Sequence, residues 1–151
     1  RSVKHQWNYR TGRLKSAGLA AKPCYSDHQY GFALDLNFTD PEGLFISKKN
    51  TKDGIVKKSD WQKTEKVAKK YGIAWQGMKD PVHFYHIEGN KSEEKKKLVS
   101  KCRAIYEGAL GTDYDKWPET FKDLPEAIGM PVDGNYEKYI KQVKDSVQQT
   151  E

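Results

Sequence analysis

The sequence predicts an α+β fold, a small and mainly antiparallel sheet with flanking helices, followed by a helical C-terminal appendage. Three observations predict it. Residues Gly31–Phe38 (GFALDLNF) alternate in polarity with a period of two, the signature of a half-buried strand, and the short runs Ile73–Trp75 and His83–Ile87 read as two further strands. Between them Trp61, Thr64, Val67, Ala68 and Tyr71 recur at helical spacing. Beyond Asn90 the texture changes to two lysine-rich amphipathic stretches separated by a proline-rich connector.

In chain order, the spacing predicts a helix over Gln6–Leu14 that ends in the small and basic residues from Gly12 to Gly18, and then a loop to Tyr25. On the strand Gly31–Phe38, Phe32, Leu34 and Leu36 share one side, so Asp35 points away from them together with Ala33 and Asn37. Pro41, Gly43 and Gly54 punctuate Thr39–Lys58, which reads as loops around a short strand or hairpin at Leu44–Ile46. Ser59 followed by Gln62 is a capping-box signature for the next helix, which runs to Gly72 with Trp61, Val67 and Tyr71 expected in the core. Gly77 and Pro81 mark the loop between the last two strands. Ser92–Leu110 carries Leu98, Val99, Cys102, Ile105 and Tyr106 on one stripe, and Tyr136–Val147 carries Tyr139, Ile140 and Val143. Pro118, Pro125 and Pro131 lie in the connector, and no internal repeat is present.

With 151 residues the chain is long enough to bury a core without disulfide staples. Its 36% hydrophobic and 32% charged residues, with 12% aromatic, describe a globular, soluble domain. No apolar run reaches the roughly 18 residues of a membrane span, and no signal peptide opens the chain. Cys24 and Cys102 are too few for a disulfide framework and form no CxxC, so the redox compartment and their pairing stay open, with Cys102 expected in the buried stripe of its helix. The formal charge of +6 is unevenly placed: residues 1–90 hold 16 basic and 9 acidic side chains, hence +7, and residues 91–151 hold 11 and 12, hence −1. A basic first part suits a polyanion such as nucleic acid, but no aromatic platform or groove-reading motif accompanies it.

Two of the four histidines lie beside carboxylates in organised segments, His28 with Asp35 in SDHQYGFALDL and His83 with Asp80 in DPVHFYH. His28, Asp35 and His83 together make a three-ligand set suited to zinc with an open fourth position. Spacing restricts how they meet. Seven residues is an odd offset, so His28 and Asp35 would face opposite sides of one straight strand and converge only if the chain bends, for which Gly31 is the candidate. His86 is likewise an odd number of positions from His83, which makes it a poor fourth ligand. Pro81 favours a turn that brings Asp80 and His83 to one cavity. By spacing alone, a zinc site and separate structural roles for these residues are both open.

The pattern S-x-H-x-x-G-x-A-x-D is met by Ser26, His28, Gly31, Ala33 and Asp35, and a later D-x-x-H-F by Asp80, His83 and Phe84. In order and spacing these segments resemble the zinc D-alanyl-D-alanine peptidase family, which includes carboxypeptidases, dipeptidases and the L-alanyl-D-glutamate endopeptidases of phage endolysins and bacterial autolysins. Arg1, Ser2 and Gln6 resemble its upstream R-S-x-x-x-Q segment, Gly12, Arg13, Ala21 and Pro23 fall where the endopeptidases have similar residues, and the Trp61 helix leading to Gly72, Ile73 and Trp75 fits the approach to the second motif. The resemblance covers most of residues 1–90. Departures are Cys24 where relatives often have Gly, Gln76 in what is usually a Trp-Gly-Gly run, and Tyr85 in place of an acidic residue.

The resemblance implies a D-Ala-D-Ala peptidase/hedgehog-like fold in a catalytic domain of residues 1–90, with residues 91–151 as a helical extension. Family domains usually begin with a helix and a strand before the arginine, and these are expected to be removed, to lie on another chain, or to be replaced by the C-terminal helices. His28, Asp35 and His83 would bind one Zn2+ per chain, Asp80 would be the general base, Arg1 would stabilise the oxyanion, and Ser26 and Gln6 would contact the substrate or support the ligands. Arg10 and Arg13 are the alternative oxyanion donors, weighed against plain solvated charges and expected to be the latter. Asp rather than Glu at position 80 favours the endopeptidase branch over a D-Ala-D-Ala carboxypeptidase or dipeptidase. The implied substrate is the bacterial peptidoglycan stem peptide, met outside the cell, in the cell wall, or from a phage particle or host lysate. Lys48, Lys49, Lys52, Lys57 and Lys58 would favour anionic cell-wall polymers or serve only to keep their loop soluble, and residues 91–151 would bind cell wall, dock onto other phage or lytic-system proteins, or complete the core. A virion or cell-wall component that keeps the site without activity is the reading from another class.

Overall fold

The structure, a computed structural model, describes residues 1–14, 20–39, 42, 45, 46, 51–124 and 136–148. Among them, helices α1 (Val3–Arg10), α2 (Lys58–Lys69), α3 (Ile87–Asn90), α4 (Glu93–Leu110) and α5 (Glu137–Gln148) accompany strands β1 (Ala33–Asp35), β2 (Phe38–Thr39), β3 (Phe45–Ile46), β4 (Ile73–Trp75) and β5 (His83–His86). Single 3₁₀ turns occur at Asp27–Tyr30 and Tyr114–Lys116. The α+β class holds. The chain divides into two compact units, residues 1–31 with 93–151 and residues 32–92.

In the first unit, α1 begins at Val3 rather than Gln6, because the Ser2 hydroxyl accepts a hydrogen bond from the His5 N–H and supplies the cap. It ends at Arg10, before Gly12 at φ 79°. Its buried residues Val3 and Trp7 join Cys24, Cys102, Ile105, Tyr106, Trp117, Phe121, Leu124 and Val143 in one core. The Trp7 and Trp117 indole N–H groups donate to the carbonyls of Tyr114 and Gly111, which lets both rings be buried without an orphaned donor. Burial pushes the Tyr106 phenol well up, and that neutral hydroxyl accepts from the Leu124 N–H. The C-terminal helix α5 packs on α4, where a Cβ at Gly108 would lie 3.0 Å from Ile140 Cδ1. Cys24 and Cys102 form a disulfide, an outcome the sequence left open. Pro125 and Pro131 of the expected connector lie outside the described residues.

In the second unit, the sheet has the order β1-β5-β4 and is antiparallel throughout, while β2 and β3 form a separate two-stranded ribbon. The expected single strand Gly31–Phe38 is therefore two strands in two sheets. Leu44 of the expected hairpin, with Lys48 and Lys49, lies outside the described residues, and β3 runs Phe45–Ile46. Helix α2 begins at Lys58, one residue before the expected Ser59 cap, and the Asp60 carboxylate closes it by accepting from the Lys57 N–H. Trp61 is the centre of the core, in ring contact with Phe38, Trp75 and Phe84, and its indole donates to the Thr51 hydroxyl. Val67 and Tyr71 were expected in this core and are 55% and 74% exposed. At 100° per residue Val67 lies about 120° around the helix from Trp61, whereas Ala68, two turns on, returns to the buried face. Tyr71 falls beyond the end of α2. No helix among the described residues is long and apolar enough to cross a membrane.

Candidate metal centre

The register of β1 against β5 builds the site. Leu34 opposes Phe84 and Asp35 opposes His83. Phe84 and Trp75 belong to the core around Trp61, so the alternation of the strands puts Asp35, His83 and Tyr85 together on the other face. Leu34 lies in the core-facing row but at its edge, which is why it is 44% exposed instead of half-buried as its alternation suggests. The backbone bonds Leu36 N–H to Val82 O (2.8 Å) and His86 N–H to Phe32 O (2.7 Å) fix the alternation of the ladder. Asp35 and His83 fall at one of its non-hydrogen-bonded pairs, where opposed Cα atoms approach to about 4.5 Å and side chains stand closest. His83 Nδ1 is 3.9 Å from Asp35 Oδ1.

His28 arrives from a different element. It sits in the 3₁₀ turn Asp27–Tyr30, which the buried Ser26 hydroxyl caps by accepting from the His28 N–H and which Gly31 ends at φ 76°. Only a residue without a Cβ enters that left-handed conformation freely, so Gly31 supplies the bend that the odd offset between His28 and Asp35 requires. One ligand atom each of His28, Asp35 and His83 lies within 4.8 Å of the other two. Ligand atoms around a tetrahedral ion with bonds of 2.0–2.1 Å stand roughly 3.3 Å apart, so small side-chain adjustments close the set. These three residues form a group able to hold a metal ion.

His86 stays out of it. Its side chain caps α3, Nδ1 accepting from the Gly89 N–H at 2.9 Å, and a Cβ on Gly89 would lie 2.6 Å from Phe32 and 2.8 Å from His86 Nδ1. Gly89→Ala is expected to destabilise the protein by about 1–3 kcal/mol through this overlap, read as a lower urea midpoint with unchanged slope. An unchanged midpoint would show that the cap has room to spare.

Asp80 opens the turn into β5: its carbonyl accepts from the His83 N–H (3.0 Å), and its own N–H donates to the Gly77 carbonyl (3.1 Å). Arg1 is tied to the His28 segment, its main-chain nitrogen donating to the His28 carbonyl (2.9 Å). Its guanidinium donates to Gln6 Oε1 (3.0 Å) and lies 4.8 Å over the Tyr9 ring. Gln6, fully buried, uses its amide N–H to hold the Ala21 carbonyl, and so links α1 to the approach to the site. Arg10 is not the solvated charge expected, since it donates to the Tyr114 hydroxyl and the Ala20 carbonyl, whereas Arg13 pairs with Glu119 and stacks on Trp7.

Sequence reasoning missed the groups around His28. Asp27 pairs with Lys95 of α4, Cys24 N–H donates to Gln29 Oε1 (2.9 Å), and the Tyr30 phenol, pushed up by burial and therefore neutral, donates to the Cys24 carbonyl. Cys24 itself adopts φ 75°, the left-handed region that glycine enters most freely. No protein-family model, no curated protein and no solved structure matches the chain.

Proposed function

We propose that this chain is a zinc-dependent peptidoglycan peptidase of the D-alanyl-D-alanine peptidase family, an L-alanyl-D-glutamate endopeptidase of a phage or bacterial lytic system. The observation that carries this reading is the convergence of His28, Asp35 and His83, three residues of two separate motifs, within 4.8 Å. Two imidazoles and one carboxylate are the donor set of hydrolytic zinc sites that keep an open position. When bound, zinc supplies an acidified water and a Lewis acid for the scissile carbonyl.

The chain's own residues do the rest. Asp80, held by the backbone bond between its carbonyl and the His83 N–H, takes the proton of the attacking water and delivers it to the leaving amine. Arg1, its guanidinium set by Gln6 and Tyr9, donates to the developing oxyanion. Ser26 acts as a cap rather than a nucleophile, because its hydroxyl is committed to the turn that presents His28. The disulfide fits work outside the cytoplasm, where such bonds persist.

The test is digestion of purified peptidoglycan by the oxidised protein, with mass spectrometry of the released fragments. New L-alanine carboxyl and D-glutamate amino ends, abolished by a chelator and restored by zinc, are expected. Release of terminal D-alanine would instead place the chain among the carboxypeptidases. No cleavage by the zinc-loaded protein would leave a structural component with a residual metal site.

A further inference from the structure

His28 stands on the least self-sufficient element of the candidate centre. Asp27–Tyr30 is one 3₁₀ turn, closed by the Gln29 N–H to Ser26 carbonyl bond and the Gly31 N–H to Asp27 carbonyl bond. Such a turn has little intrinsic stability, so its orientation has to come from what grips it. Two of the grips come from one helix. Lys95 of α4 pairs with Asp27, the neighbour of His28, and Cys102 of α4 is bonded to Cys24 just before the turn. Lys95 and Cys102 are seven residues apart, which returns to within about 20° of the same helical face and spans roughly 10 Å along the axis. One face of α4 therefore holds the His28 segment at two points.

The geometry points to α4 as the positioning element of the metal centre, with Lys95 and Asp27 as positioning residues that aim His28 through the Asp27–Lys95 pair and the Cys24–Cys102 bond. This rests on reading His28, Asp35 and His83 as a zinc site. Both side chains of the ion pair are largely buried, Lys95 20% and Asp27 11% exposed. A buried pair gains little over apolar residues of the same shape, so geometry rather than stability is what it contributes here. Residues 93–110 fall in the same compact unit as the His28 turn. Groups that orient a ligand in this way commonly change metal affinity by 10- to 100-fold when removed.

The experiment measures zinc affinity of the full oxidised chain by competition with a chromophoric chelator, and the absorption spectrum of the cobalt(II)-substituted protein. Wild type is expected to bind one zinc. Lys95→Met should weaken binding by about 10- to 100-fold and alter the cobalt spectrum, with the far-ultraviolet dichroism unchanged. Lys95→Arg, which keeps the charge, should recover most of the affinity, and Lys96→Ala, whose side chain pairs only along the surface with Glu93, should bind as wild type does. If Lys95→Met does not fold, Lys95→Gln, which keeps a hydrogen-bond donor, takes its place. Wild-type affinity and spectrum in the folded, charge-free variant would overturn the positioning role alone. Absence of zinc binding by wild type would overturn the underlying reading as well.

Discussion

On the proposed function, Asp80→Ala is expected to lower stem-peptide cleavage by about 100- to 10,000-fold while leaving the zinc content at wild-type level. At about 1.36 kcal/mol per tenfold this is a loss of roughly 3–5 kcal/mol of transition-state stabilisation. Two features of the turn keep the variant folded. The residue 80 backbone makes two hydrogen bonds, to His83 and Gly77, and these survive truncation of the side chain. The next residue, Pro81, is buried, and its carbonyl accepts from the Trp75 indole at 2.8 Å, a tie to β4 that the substitution leaves in place. Steady-state kinetics on a defined peptide and elemental analysis of the same sample decide the matter. A rate near wild type would remove Asp80 from the base role. A slow variant that has also lost its zinc would make Asp80 a support for the metal instead.

The site's three members were legible because each lies in a short motif with a physical constraint attached. The odd offset between His28 and Asp35 demanded a bend, and Gly31, in the left-handed region, provides it. The odd offset between His83 and His86 separated their roles, and His86 is a helix cap on the opposite face. What composition and spacing do not contain is register. That Asp35 meets His83 across a non-hydrogen-bonded pair depends on β1 and β5 aligning over nearly fifty intervening residues, and a slip of one position would turn every side chain to the other face. The helix containing Trp61 formed as expected, but the placing of Val67 and Tyr71 in its core failed for a related reason. Apolar residues at Trp61, Val67, Ala68 and Tyr71 satisfy a helical count loosely, yet only a stripe of limited width meets the sheet, and Val67 is outside it. The grip of α4 on the His28 turn was the least visible of all, since Lys95 in a run of lysines looks like its exposed neighbours until Asp27 is seen against it.

Reducing the Cys24–Cys102 bond is expected to cost the protein about 4 kcal/mol. The two cysteines are 78 residues apart, and constraining a loop of that length in the unfolded chain raises its free energy by roughly 4.5 kcal/mol on chain entropy alone. One native-state effect works the other way. Cys24 holds φ 75°, a conformation that costs a residue with a Cβ about 1 kcal/mol or more and costs glycine nothing comparable. Cys24→Gly with Cys102→Ser should therefore be more stable than Cys24→Ser with Cys102→Ser by about 1 kcal/mol, although both lack the cross-link. Urea unfolding of the oxidised protein, the reduced protein and the two double variants measures each difference from the midpoints. Equal midpoints for oxidised and reduced protein would mean that the core of Trp7, Tyr106, Phe121 and Val143 holds α1 and α4 together unaided. Against a total stability of about 5–15 kcal/mol typical of domains, a 4 kcal/mol loss is large enough to make the reduced chain marginal. The bond then ties the fold to an oxidising environment, and because it anchors the segment that carries His28, it ties the candidate metal centre to the same environment.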